Sequence, residues 1–176
     1  MNYSEKTIEQ AKIIKAIVFD VDGVLTDGGI VYDNAGMEFK RFNVKDGQII
    51  KYLKRAEIYT AVITGRDSLV VRNRCEELKI DKHYHGIKNK LETYQKLKEK
   101  WQLTNEQIAY VGDDINDLPV LVRCGLSCTP SDGHYKVKEH VDLVLKSKGG
   151  EGVLRELADL VLEAQNRYED IIKELI

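Results

Sequence analysis

The amino-acid sequence predicts an α/β domain on a doubly wound parallel sheet, with one β-hairpin inserted near its start. Three observations lead there. Short apolar runs rich in β-branched residues (Ala16 to Phe19, Thr60 to Ile63, Ile108 to Val111, Gly125 to Cys128 and Leu143 to Leu145) are bounded by Gly, Asp or Thr, as buried parallel strands are. Amphipathic helical stretches alternate with them, at Gln48 to Arg55, Ser68 to Leu78, Lys88 to Trp101 and Asp117 to Arg123, which is the pattern of βαβ units. Carboxylates and small polar residues directly follow the first three runs, where such a sheet gathers its ligand loops.

The first run ends in Asp20-Val21-Asp22-Gly23, two carboxylates one residue apart before a glycine turn. Crowded anions at a strand end call for compensation, and a hard divalent cation with Asp20 as oxygen ligand is the simplest. With its charge shared, Asp20 can attack phosphorus and carry a phosphoryl group. Asp22 is placed to protonate the leaving alcohol and then deprotonate water. An ordinary acidic turn is the alternative for this stretch taken alone.

Next comes Gly28 to Phe42, where Ile30-Val31-Tyr32 and Met37 to Phe42 flank Asp33-Asn34-Ala35-Gly36. This is a hairpin signal, and its position after the Asp20 turn sets it over or beside the site. Thr64-Gly65-Arg66 follows the second strand, with Ser68 starting a helix; a hydroxyl and backbone N–H groups there can hold phosphate oxygens. Lys90 opens the next helix, where a cation opposes the helix dipole unless an anion sits nearby; a solvated surface lysine is the alternative. Gly112-Asp113-Asp114-Ile115-Asn116-Asp117 follows the third strand. It lacks the longer series ending in Glu that a calcium loop requires. Asp113 is therefore assigned to the same cation as Asp20, with Asp114 and Asp117 holding the ligands and the loop in place.

At 176 residues the chain is one domain by size, large enough for a full core. Its 27 basic and 29 acidic side chains nearly balance, so no broad basic face argues for nucleic acid. Cys75, Cys124 and Cys128 show no metal spacing and leave an odd thiol, which fits a reducing cytoplasm and small buried hydrophobes. Glu5, Lys6, Glu9 and Lys12 are too many charges for a secretory segment, and no apolar run has membrane-spanning length. A soluble cytoplasmic protein is expected.

Together, Asp20-Val-Asp22-Gly23-Val-Leu-Thr26, Thr64-Gly65-Arg66, Lys90 and Gly112-Asp113-Asp114-Ile-Asn-Asp117 resemble the four ordered motifs of the haloacid dehalogenase superfamily of phosphatases. The resemblance covers nearly all of residues 14 to 156. It is closest to the 3-deoxy-D-manno-octulosonate 8-phosphate phosphatases, through Leu25-Thr26-Asp27-Gly28, Asn43-Val44-Lys45-Asp46-Gly47 and Gly149-Gly150-Glu151-Gly152. It implies a Rossmann-like core and an Mg²⁺ ion on the Asp20 carboxylate, the Asp22 backbone carbonyl and the Asp113 carboxylate, with Thr64 and Lys90 on the phosphoryl oxygens. It further implies that Asn43, Lys45, Asp46, Gly47, Lys51, Arg66 and Arg74 meet a sugar acid. Lys45 and Lys51 stand where the family pattern has arginine, whose planar fork lysine does not reproduce. A sister group acts on nine-carbon 2-keto-3-deoxy sugar phosphates; Arg66, where that group has an acidic residue, favours the eight-carbon substrate. A phospho-accepting receiver module is the rival from another class, but it carries its acidic pair first and its phosphorylated Asp in mid-chain, the reverse of the order here.

Larger relatives insert a cap domain after the first or second motif, yet only 37 residues separate Thr26 from Thr64 and 25 separate Thr64 from Lys90. No cap domain fits. The resemblance implies instead a ring-like homotetramer, with the hairpin at the interface and a neighbouring subunit as cover. The phosphatase core is assigned to residues 1–150. Residues 151–176 are expected to form one helix, a candidate oligomerisation element whose Leu154, Leu157, Val161, Ala164, Tyr168, Ile171 and Leu175 follow spacings of 3 and 4. The Gly149 to Gly152 segment is read as a hinge that frees this helix, with Arg155 available to an anionic substrate. The same spacings also suit a helix packed on its own sheet.

Overall fold

Ser4 opens the first helix of the computed structural model, its hydroxyl accepting from Thr7 N at 3.1 Å; residues 3–174 and 176 are described. The elements are α1 (Glu5–Lys12), β1 (Ala16–Phe19), β2 (Val31–Tyr32), β3 (Glu38–Phe39), α2 (Val44–Arg55), β4 (Tyr59–Ile63), α3 (Leu69–Leu78), β5 (Lys82–Tyr84), α4 (Lys90–Trp101), β6 (Ile108–Val111), α5 (Leu118–Leu121), β7 (Leu126–Thr129), α6 (Tyr135–Lys138), β8 (Leu143–Val144), α7 (Val153–Ala164) and α8 (Tyr168–Lys173). Six strands pair in parallel in the order β5-β4-β1-β6-β7-β8. The chain winds one way from β1 through β4 to β5 and the other way from β6 to β8. The crevice where the two directions part, at the carboxyl ends of β1 and β6, is where such sheets bind ligands.

Successive side chains of a strand point to opposite faces, and β1 divides its residues accordingly. Ile17 and Phe19 enter a core with Ile50 and Leu53 of α2, Val71 and Cys75 of α3, and Leu157 and Val161 of α7. Ala16 and Val18 enter the opposite core, with Tyr94 and Leu97 of α4, Leu121 of α5 and Val137 of α6. Both faces are therefore covered, and β1 is buried along its whole length, as its uninterrupted apolar run requires. Register completes the arrangement: Phe19 lies opposite Val62 and Val111, so the residues that follow β1, β4 and β6 emerge side by side.

The predicted doubly wound α/β fold and its hairpin are present. The hairpin's ladder is shorter than expected, two residues on each strand, closed by Asp33 Oδ1, which accepts from Ala35 N and Met37 N at 2.9 and 2.7 Å. Three elements lack an apolar signature: α1, which buries only Thr7 and Ala11; β5, a half-buried edge strand; and α6. Helix α2 begins at Val44 rather than Gln48 because Asn43 caps it, accepting from Lys45 N at 2.9 Å. The helix expected over Asp117 to Arg123 is confined to Leu118–Leu121.

The tail departs from the single helix expected. It breaks between α7 and α8, with Asn166 at φ 53°. Leu154, Leu157, Val161 and Ile171 are buried in the chain's own core, beside Ile17 and Phe19; Leu175 lies outside the described residues. The glycine segment is not a hinge, since Gly150 N donates to Val24 O at 3.0 Å and ties the tail to the loop after β1.

Candidate active site

Asp20 leaves the end of β1 with only 6% of its surface exposed. Its Oδ1 accepts from Val21 N at 2.7 Å, and its Oδ2 accepts from Lys90 Nζ at 2.6 Å. Asn89 caps α4 through Glu92 N, which sets Lys90 on the first turn with its side chain directed inward and 2% exposed. A second contact, Lys90 Nζ to Asp117 Oδ1 at 2.7 Å, fixes the ammonium between two carboxylates. Asp117 is wholly buried; it also accepts from Tyr110 Oη at 2.7 Å and from Asp114 N at 3.4 Å. Its oxygens are thus engaged in holding Lys90 and the loop. Asp114 accepts from Ile115 N at 2.8 Å and caps the short 3₁₀ turn Ile115–Asp117.

The charges explain the titration behaviour. Burial raises Asp20, Lys90 pulls it down and Asp117 raises it again, leaving it at about 6. Asp113 is pushed up to about 7, first by burial and then by the neighbouring Asp20 and Asp117 carboxylates. Burial works to lower Lys90, but Asp20 and Asp117 outweigh it and raise the ammonium. Carboxylate oxygens of Asp20, Asp113 and Asp117 lie within 4.8 Å of one another, with Lys90 as the ammonium between two of them. This all-oxygen, net negative donor set fits a hard divalent cation. Gly23 closes one side, for a Cβ built there would fall 2.1 Å from Asp113 Oδ2.

Asp22 faces the same basin from the turn. Lys40 Nζ donates to its Oδ1, and Arg66 Nε stands 3.7 Å from its Oδ2. Glu38 anchors both cations, 3.5 Å from Lys40 and 3.4 Å from Arg66, and receives the Ser68 hydroxyl. The hairpin therefore stands against the Asp22 side, as its place in the sequence suggested. Thr64 is buried, its backbone fixed by Thr64 N to Tyr84 O and Ile87 N to Thr64 O, both 3.0 Å. Asp20, Asp22, Thr64, Arg66, Asp113 and Asp114 line one basin of about 260 Å³.

The other residues expected to meet a sugar acid lie elsewhere. Gly47, Lys51 and Arg74 line a groove between α2 and α3. Asn43 Nδ2 donates to Gly150 O at 3.2 Å, Lys45 is exposed, and buried Asp46 accepts from Arg155 N at 2.8 Å. Lys40, Glu38 and Tyr110 escaped the sequence reading. A usable signal for the first two existed, because residues two apart on a hairpin strand share a face.

Comparison with known proteins agrees with the motif set. Residues 84–157 match the haloacid dehalogenase-like hydrolase family. Over 167 residues, 95% of this chain and 89% of the relative, the sequence is 41% identical to the 3-deoxy-D-manno-octulosonate 8-phosphate phosphatase KdsC of Escherichia coli K12. The crystal structure of the corresponding Yersinia pestis phosphatase superposes with a TM-score of 0.93 at 40% identity, covering 95% of this chain and 90% of that one. The Moraxella catarrhalis phosphatase, solved in complex with magnesium ion, phosphate ion and KDO, superposes at 0.95 with 34% identity over 99% of this chain and 100% of that one.

Proposed function

We infer that this chain, which belongs to the 3-deoxy-D-manno-octulosonate 8-phosphate phosphatase family of haloacid dehalogenase-like hydrolases, transfers the phosphoryl group of its substrate to Asp20. It is an Mg²⁺-dependent phosphoric monoester hydrolase acting on 3-deoxy-D-manno-octulosonate 8-phosphate. The observation that carries the Asp20 assignment is its place at the end of the central strand, 2.6 Å from Lys90 and beside Asp113.

The Asp20 and Asp113 carboxylates, with the Asp22 carbonyl, would hold Mg²⁺. When bound, Mg²⁺ supplies a Lewis acid that draws charge from the phosphoryl oxygens. Asp20 attacks phosphorus in line and becomes an aspartyl phosphate, while Asp22 protonates the departing sugar oxygen. Lys90 and Thr64 meet the equatorial oxygens as their charge grows. Asp22 then takes a proton from water, which cleaves the acyl phosphate and frees Asp20. Buried Lys40 braces Asp22 from behind, and Arg66 in the basin lining offers a guanidinium suited to a sugar acid's carboxylate.

We assign the enzyme to the cytoplasm, since Cys75, Cys124 and Cys128 are all unbridged. No helix among the described residues is long and apolar enough to cross a membrane. We also assign a homotetramer. The groove lined by Gly47, Lys51 and Arg74 is then offered to a neighbouring subunit's substrate, a role supported by its separation from the Asp20 basin.

The test is phosphate release from the eight-carbon substrate and from a nine-carbon keto acid phosphate, with and without Mg²⁺. The eight-carbon compound should be preferred and Mg²⁺ required. Asp20→Asn should lower kcat by a factor on the order of 10⁴ or more, with the circular dichroism spectrum unchanged. A folded Asp20→Asn variant that releases phosphate at the native rate would sink the mechanism.

A further inference from the structure

Away from the carboxylates, α3 and β5 bring together a second set of ligating side chains with a different chemistry. One nitrogen each of His83 and His85 and the Cys75 sulfur all lie within 4.8 Å of one another. His83 and His85 are two residues apart at the end of β5 and present their rings on the same side, edge to face with centroids 5.1 Å apart. His83 Nδ1 approaches His85 Nε2 to 2.8 Å, while His85 Nδ1 is buried with no hydrogen-bond partner. Cys75 reaches them from the last turns of α3 and is 1% exposed. The tight connection, closed by Ile80 N to Cys75 O at 3.1 Å, places all three within eleven residues of chain.

We propose that Cys75, His83 and His85 form a site for a borderline-soft transition metal of the zinc class, distinct from the magnesium site. Donor type separates the two: one thiolate and two imidazoles select zinc or cobalt, whereas all-oxygen Asp20 and Asp113 select magnesium. Zinc bonds of about 2.0–2.3 Å imply ligand atoms roughly 3.3–3.6 Å apart in a tetrahedron, within reach of small side-chain rotations here. Three protein ligands leave a fourth position for water. On binding, the Cys75 thiol loses its proton to the buffer as the sulfur–metal bond forms, without redox change. Burial first, then the neighbouring Arg72 and His83, lower His85 against the opposing Asp67, which favours the neutral imidazole that a metal takes.

The consequence is a staple beside the phosphate loop. Tyr84 O accepts from Thr64 N at 3.0 Å and Gly86 N donates to Arg66 O at 3.2 Å; both flank His85. A metal bridging α3 to this segment would stiffen the backbone that positions Thr64 and Arg66.

The experiment uses untagged, full-length protein saturated with Mg²⁺ and titrated with Co²⁺ under reducing conditions. Expected are one equivalent of cobalt giving a thiolate-to-metal charge-transfer band, its displacement by Zn²⁺, and a higher Tm with Zn²⁺. Loss of a ligand should weaken binding at least as much as loss of an outer partner does, about 10- to 100-fold. Cys75→Ala should abolish the band, and His83→Gln and His85→Gln should each weaken it. The histidine variants change half-buried positions and decide the matter if Cys75→Ala does not fold. No thiolate band, a band that survives Cys75→Ala, or unchanged affinity in both histidine variants would overturn the site.

Discussion

Gly23 shows how closely single residues are constrained at this site. Its φ of 80° lies where a side chain costs about 1–2 kcal/mol, and the missing Cβ leaves the room that Asp113 occupies. Gly23→Ala should therefore displace the Asp113 carboxylate and raise the Mg²⁺ concentration for half-maximal phosphate release about 10- to 100-fold; an unchanged Mg²⁺ titration would contradict this placement. Asp46 gives a pH signature outside the carboxylate cluster of Asp20, Asp113 and Asp117. Burial first of all raises its carboxyl from 3.8 to about 6, against the opposing amides of Arg155, Leu154 and Gly152, and its Oδ2 has no partner. Between those two values the folded chain holds a proton that the unfolded chain has released. Stability from this group is thus fully present below 3.8 and lost as pH rises through about 6. Asp46→Asn has nothing to ionise, so relative to the native chain it should gain roughly 2 kcal/mol between about pH 4 and pH 7. Urea melts of both proteins at the two pH values measure it, and a constant difference between them would exclude the effect.

At the scale of elements, β1, β4 and β6 were legible because each is an apolar run whose carboxyl end leads into the candidate site. Asp20, Thr64 and Asp113 could be found by looking just past them. β5 was not legible, since Lys82-His83-Tyr84 is polar and becomes a strand only by pairing with β4. Helix α2 starts four residues before the expected Gln48, since Asp46-Gly47 has the composition of a turn. The structure keeps Gly47 inside the helix, where a Cβ would lie 2.6 Å from Arg74 Nη2. Lys40 and Glu38 act across 18 and 30 residues of chain, on Asp22 and Ser68; the alternation of a hairpin strand puts the two on one face but does not name partners that far away. The tail illustrates a true degeneracy: apolar residues spaced 3 and 4 apart describe a coiled-coil seam and a core-facing helix equally well. Here α7 packs against α1 and α2. Leu157→Ala should accordingly destabilise the chain by about 2–5 kcal/mol in denaturant melts, whereas a residue serving only subunit contacts would leave the melting of dissociated chains unchanged.

For the whole molecule, the open basin and the apolar hairpin point to one arrangement. A two-stranded hairpin is marginal by itself in water, yet this one exposes Val31, Met37 and Phe39 at 58, 60 and 49%. Three exposed apolar side chains on one short hairpin suit an interface, and they adjoin Lys40 and Glu38, which brace Asp22. Burying the hairpin against another copy would both remove these exposed side chains and fix Lys40 and Glu38 against Asp22 and Arg66. It would also cover phosphoryl chemistry that no cap domain shields from water. The pair Met37→Glu and Phe39→Glu places two charges in that contact without touching the Asp20 basin. We expect the doubly substituted chain to sediment as a smaller species than the native one while keeping its circular dichroism. Its kcat/KM should fall about tenfold or more, as positioning of the substrate is lost, with the fall recovered at protein concentrations that drive reassociation. Equal size by light scattering at every concentration would dismiss the hairpin interface, and a fully active small species would show that each chain completes its own site.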